Sequence, residues 1–220
     1  ILIQQTGLPV RVDNNATNAC VAERLFGASR DISNSVFLYA SSGGIGGGVI
    51  ANDQLLRGAS GYAGELGHIQ ISPSRNEDFF GIPGSLEAMV RRDELLYAFH
   101  MDRATDEELD ELVQKNTSSR VTKVINLQVE ALGRAIGVLA TIFNPETIIL
   151  SGFLGSIFRS NPDRLLAVVR ENSIKPVSET LLVKLNELGS SAVLIGAAEL
   201  TFQAVLENPA EAGLTKNRKL

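Results

Sequence analysis

A single cysteine, Cys20, stands in the 220 residues, so no internal disulfide framework can form and the chain fits a reducing cytoplasm. Basic residues are also few. Twenty Lys and Arg against 25 Asp and Glu leave a formal net charge of −5, which argues against a phosphate-binding surface spread over the fold, because nucleic-acid binding draws on clustered Lys and Arg. Any contact with DNA is therefore expected through a segment absent from this chain. Long apolar runs are missing as well. The longest, residues 135–143, is half of what a bilayer span requires. The opening residues lack a basic n-region, and Gln4 and Gln5 break the first apolar stretch, so neither a membrane span nor a signal peptide is expected. Internal repeats and low-complexity tracts are absent too. What remains is the composition of an ordinary globular protein, 44% hydrophobic and 20% charged, long enough to bury a substantial core.

The periodicity is that of an α/β chain. Residues 36–40 and 49–51 flank a glycine run as short β-rich segments, residues 68–72 read as another strand, 147–150 form a compact β-branched run, and 181–185 alternate in strand fashion. Thr105-Asp106-Glu107-Glu108 is a capping box that opens a polar helix to about Lys115. Residues 121–143 keep Val124, Leu127, Leu132, Ile136, Leu139 and Phe143 at helical spacing and stop before Asn144-Pro145. Residues 192–206 form the last helix, and 207–220 mix Pro, Gly and charge as a frayed polar tail.

Three blocks stand out: Leu8-Pro9-Val10-Arg11-Val12-Asp13-Asn14-Asn15 followed by Ala22-Glu23; Ser42-Gly43-Gly44-Ile45-Gly46-Gly47-Gly48; and Ala63-Gly64-Glu65-Leu66-Gly67-His68. Gly84-Ser85-Leu86-Glu87 and Ile195-Gly196-Ala197-Ala198-Glu199 are weaker marks. In this order and spacing the blocks resemble the ROK family of repressors, open reading frames and kinases. The resemblance implies an actin-like, ribonuclease H-like fold: one lobe of an actin/hexokinase-type ATPase, with a mixed sheet covered by helices. The family's first-lobe Asp-x-Gly-Gly-Thr loop and the regulators' helix-turn-helix are not in this sequence. Residues 1–206 are therefore expected to be the C-terminal, sugar-sensing lobe of a longer protein.

The resemblance places the catalytic aspartate of the kinases at Asn15. A carboxylate takes a proton from a sugar hydroxyl as general base, whereas an amide does not, so no catalytic residue is expected. Asp13 lies two positions away, roughly 6.6 Å in an extended strand, beyond direct proton transfer. Sugar contacts are expected from Asn14, Asn15, Glu65, His68 and Glu87. Asn14 and Asn15 would sit at the end of a strand through Val10 and Val12 and serve equally well as a helix cap, and Glu87 serves equally well as a first-turn acid. Glu65 and His68 would point to opposite faces of an extended segment unless Gly64 and Gly67 bend it.

The glycine run reads either as a turn whose N–H groups approach nucleotide phosphates, through Gly43, Gly44 and Gly46, or as a tight hairpin without a ligand. Ser42-Gly43-Gly44 stands where the kinases carry Gly-Thr-Gly, so this nucleotide site is vestigial. In the resembled family the His also binds a structural zinc with three cysteines, and those positions are Asp78, Phe80 and Ser85 here. Zinc wants four soft or borderline ligands, so no metal and no cofactor are expected, and Phe79, Phe80, Ile82 and Pro83 would fasten the loop by apolar packing instead. The partners expected are a sugar or sugar phosphate and a second copy of the chain in a homodimer or higher oligomer. Two functions fit: the effector-binding domain of a transcriptional repressor, and an ATP-dependent sugar kinase lobe.

Overall fold

The computed structural model describes residues 1–8 and 10–207. Its sheet is built on β1 (Ser35–Ser41), whose continuous apolar run Val36-Phe37-Leu38 is fully buried, the pattern of a strand covered on both faces. The other strands are β2 (Gly44–Ala51), β3 (Gln54–Leu55), β4 (Thr147–Gly152) and β5 (Leu182–Leu185), in the spatial order β3-β2-β1-β4-β5. The β1–β2 and β2–β3 pairs are antiparallel, and β1–β4 and β4–β5 are parallel, so the sheet is mixed.

The helices in chain order are α1 (Leu2–Thr6), α2 (Asn15–Phe26), α3 (Leu86–Met89), α4 (Arg92–Ala98), α5 (Asp106–Gln114), α6 (Ser119–Phe143), α7 (Leu154–Ser160), α8 (Pro162–Glu171), α9 (Lys175–Ser178) and α10 (Ala192–Glu207). The two-residue period of the strands divides the core between them. Val36, Leu38, Ile148 and Leu150 join Leu132, Ile136 and Leu139 of α6 in the larger cluster. Phe37 and Ile149 face the other way, onto Ala19 and Cys20 of α2 and Ala192 of α10.

Local chemistry sets the helix ends. The capping box at Thr105 is present: Glu108 N–H donates to Thr105 Oγ1 at 3.1 Å and Thr105 N–H to Glu108 Oε2 at 2.7 Å. Helix α6 ends at Asn144 in the left-handed region, φ 44°, just before Pro145. By length and composition α6 could cross a membrane, with a mean hydropathy of 1.2 over 18 residues, but 61% of that window is buried inside the fold, which makes it a core helix. Counting unbroken apolar residues understated its length because polar side chains interleave on its outer face.

Two expected strands are not strands. Residues 68–72 hold only an isolated bridge, Gln70 to Ser85, after a 3-10 turn at Leu66–His68; the N–H groups of Ile71 and Ser72 both go to the Gly84 carbonyl instead of to a ladder. Residues 10–14 are irregular, with Val12 90% exposed. The tail expected over 207–220 lies outside the described residues, except that α10 runs through Glu207.

One buried acid ties this architecture together. Glu23 of α2 has no exposed surface, and its carboxylate accepts N–H from Ala28 at 2.7 Å, Leu188 at 2.9 Å and Glu187 at 3.1 Å. It thus joins α2 to its own exit loop and to the segment that leads into α10. One turn earlier, burial pushes the Cys20 thiol up to about 12, helped by the nearby Glu23 carboxylate, so this cysteine is a protonated packing residue.

Candidate functional site

The glycine run is mostly strand. Only Ser42 and Gly43 form the turn between β1 and β2, and the remaining glycines, from Gly44 on, belong to β2, where they remove side chains from a surface that other elements touch. A Cβ on Gly46 would lie 2.8 Å from the Ala16 Cβ at the start of α2, and one on Gly48 would lie 2.6 Å from the Cys20 Cβ. From the other block, a Cβ on Gly67 would lie 2.0 Å from the Ile45 carbonyl oxygen. Real Cβ atoms do not come that close. Strand β2 is therefore a bare platform on which α2 and the Gly64-to-His68 segment rest, and the expected phosphate loop contracts to Ser42-Gly43. Gly46 serves packing. Gly43 N–H donates to Ser41 Oγ at 3.2 Å.

Glu87 reaches this platform from α3. Ser85 caps that short helix by accepting Ala88 N–H at 3.2 Å, and Glu87 Oε2 accepts Ile45 N–H at 2.7 Å, crossing directly over Gly44. This is a tertiary contact, not merely a favourable first-turn charge. Glu87 lines a cavity of about 520 Å³ with Ser42, Gly43, Asp78 and Arg91. The Arg91 guanidinium there is engaged by Asp93.

His68 is joined to the same place through Asp78, with His68 Nδ1 2.8 Å from Asp78 Oδ2. The bend expected at Gly64 and Gly67 is present: Gly64 has φ +96° and the 3-10 turn follows. Glu65 precedes that turn and is exposed. At the α2 end, Ala16 N–H is shared by Asn14 Oδ1 and Asn15 Oδ1, each at 2.8 Å. Both asparagines are exposed, with Asn14 Oδ1 the nearer to Gly46. The platform thus gathers Asn14, His68 and Glu87 around β2, but the cavity wall itself takes only Glu87 and, through Asp78, the partner of His68. Asp13 is committed elsewhere, since its Oδ1 accepts Asn14 N–H at 2.9 Å and its Oδ2 pairs with Arg57 at 2.8 Å.

The loop where the resemblance sets cysteines is held differently from expectation. Phe79 and Phe80 are 88% and 71% exposed, so apolar packing does not fasten it. Asp78 does, by accepting N–H from Phe80 at 2.9 Å and Ile82 at 3.0 Å on Oδ1. Burial alone would raise its carboxyl, but hydrogen bonds from His68, Ile82, Ser85 and Phe80 outweigh it and hold the group at about 2. Among the described residues no three His, Cys, Asp or Glu side chains come together as a metal-binding group. The His68–Asp78 pair is not legible in the sequence, because an Asp ten residues from a His carries no local signal. Glu23 ends the first sequence block, and its spacing from Ala16, Ala19 and Cys20 is the signal that puts a carboxyl on the buried face of a helix.

A mixed sheet with helices on both faces, a glycine-bared hairpin strand and polar side chains gathered along it define one lobe of the actin/hexokinase-type ATPase fold. The chain belongs to the ROK family, whose model matches residues 2–204. It is 29% identical to the xylose repressor of Caldicellulosiruptor bescii over 95% of this chain and 56% of that protein. It is also 29% identical to the glucokinase of Halalkalibacterium halodurans, over 96% of this chain and 68% of the enzyme. Among solved structures, the ROK hexokinase from Thermus thermophilus superposes with a TM-score of 0.77 at 29% identity, covering 94% of this chain and 69% of that one. A ROK transcriptional regulator homologous to the Escherichia coli MLC protein gives 0.76 at 28%, covering 93% and 54%. The chain spans about half the length of the curated repressors that it matches.

Proposed function

We propose that residues 1–206 are the sugar-sensing effector-binding lobe of a ROK-family transcriptional repressor, degenerate as a kinase. Asn15 carries the reading. At the position where the family's kinases need a proton acceptor, this chain places an amide whose oxygen already accepts the Ala16 N–H, and losing a general base typically costs about 10²–10⁴-fold. Asp13, the nearest carboxylate in sequence, is held by Arg57. The repressors among the relatives, for xylose and for N-acetylglucosamine, support a carbohydrate effector, gripped by Asn14, Asn15, Glu65, His68 and Glu87. DNA is contacted through a separate segment, and sugar binding shifts a lobe or dimer geometry that this segment reads in the cytoplasm. The runner-up is an ATP-dependent sugar kinase, favoured by the glucokinase and hexokinase likenesses.

Calorimetric titration of the full-length protein with pentoses, hexoses, N-acetylhexosamines and their phosphates, with and without ATP, separates the two. The sensor binds sugar without turning over ATP, and Glu65→Ala or His68→Ala weakens that binding by about 1 kcal/mol or more through unmade hydrogen bonds. Efficient phosphorylation by the native protein would reverse the assignment. A separate expectation concerns Asn15→Asp in the full-length chain. Coupled-assay turnover stays near background because Ser42-Gly43 still lacks the kinases' threonine, and robust turnover by that single variant would count against the degenerate-kinase reading.

A further inference from the structure

We propose that Asp78 is the positioning residue for His68, fixing the imidazole by a hydrogen bond where the family's resemblance calls for a zinc ion, so that this site orients its histidine without metal. The zinc pattern does not fit the side chains present. Asp78 occupies the first cysteine position, but both of its oxygens are filled, Oδ1 by the N–H groups of Phe80 and Ile82 and Oδ2 by His68. The second position is Phe80, and the third, Ser85, spends its hydroxyl oxygen capping α3. A tetrahedral zinc needs four donors, and the three positions that would supply them beside His68 are committed or apolar.

What the loop offers instead is a buried carboxylate whose Oδ1 holds the loop and whose Oδ2 faces His68. The Asp78 side chain is fully shielded from solvent while that of His68 keeps 17% exposure, so the pair is anchored from the inside at Asp78. A carboxylate with its other oxygen saturated by two backbone donors can only accept, and this requires the hydrogen of neutral His68 to sit on Nδ1. The ring edge is further confined by Phe80, perpendicular to it with centroids 4.9 Å apart. Nε2 is then left as a lone-pair acceptor in fixed orientation, matched to a hydroxyl that donates. The ligand half of this inference rests on the sugar-sensor reading, whereas the orientation of His68 does not.

The two histidines of this chain are His68 and His100. In the full-length protein carrying ¹⁵N-histidine, with His68→Asn to identify the His68 signals by their loss, long-range proton–nitrogen correlation spectra report which nitrogen of neutral His68 bears hydrogen. The expected result is Nδ1–H in the native chain. In Asp78→Asn the two backbone N–H groups keep the amide oxygen, the NH₂ turns to His68, and the tautomer reverses to Nε2–H. With the tautomer reversed, affinity for whichever sugar the titration identifies falls about tenfold, the loss of one hydrogen bond of about 1.4 kcal/mol. A chelator changes neither the spectrum nor the affinity. Nε2–H in the native protein, an unaltered tautomer in Asp78→Asn, or stoichiometric zinc whose removal disorders His68 would each overturn the proposal. Reversal of the tautomer in a protein that binds no sugar would uphold Asp78 as the positioning residue and refute the sensor reading.

Discussion

Glu23→Ala is expected to lower the unfolding free energy by about 3–5 kcal/mol, a fall in Tm on the order of 10 °C for a domain of this size. The side chain is completely buried, and it satisfies the N–H groups of Ala28, Glu187 and Leu188. Each buried donor left unpaired costs about 1–3 kcal/mol, and the truncated side chain adds a small cavity. The clash that a Cβ on Gly27 would make with Glu23 Oε2, at 2.2 Å, shows how closely the backbone is wrapped around the carboxylate, leaving little room to repair the loss. Glu23→Gln retains one acceptor oxygen but brings an NH₂ against the same donors, so it falls between the two. Urea unfolding of the native protein and both variants checks the order, and an alanine variant within about 1 kcal/mol of native would remove Glu23 from its structural role.

Gly67→Ala is the second large effect, and it reaches the site as well as the fold. The new methyl would lie 2.0 Å from the Ile45 carbonyl oxygen and 3.0 Å from its carbon, backbone atoms of a strand hydrogen-bonded along β1 that cannot retreat. The segment carrying Glu65 and His68 must lift instead. Overpacking of this kind costs about 1–3 kcal/mol. Because the displaced side chains are the proposed ligands, sugar affinity should fall by tenfold or more, the equivalent of about 1.4 kcal/mol. Gly43→Ala is the control: its Cβ would meet only Ser41 Oγ, at 3.7 Å, and stability should change by no more than about 0.5 kcal/mol. Chemical denaturation and calorimetry on the pair decide it. Equal behaviour of the two variants would mean that the 64–68 segment does not bear on β2 as described.

The features legible in the sequence were those specified locally. The Thr105 capping box, the stop at Asn144-Pro145, the helical spacing of residues 121–143 and the apolar run of β1 depend on neighbours within a turn or a strand, and each is found within a few residues of its expected place. What escaped depends on distant partners. Residues 68–72 have strand-like composition, yet their N–H groups find the Gly84 carbonyl rather than a neighbouring strand. Phe79 and Phe80 were expected to bury themselves, but the loop's stability resides in one aspartate whose partners include a histidine ten residues upstream. The glycines were read as freedom for a turn, whereas most of them are vacancies for other elements. Composition cannot distinguish those uses, because both require only the absence of a side chain. The family resemblance singles out Asn14, Asn15, Glu65, His68 and Glu87, and geometry is needed to say that Glu87 touches β2 while Asn14 and Asn15 cap α2.

Helix α2 begins at Asn15 and, one turn on, meets α10, where a Cβ on Gly196 would stand 1.9 Å from the Asn18 carbonyl oxygen. Its two sides are thus seated closely, on β2 through the small side chains of Ala16 and Cys20 and on α10 through main chain at Gly196. A rod of 12 residues, about 18 Å long, seated in this way puts the Asn14 end and the last helix of the described residues in contact with one and the same element, so a tilt of α2 is expected to be felt at α10.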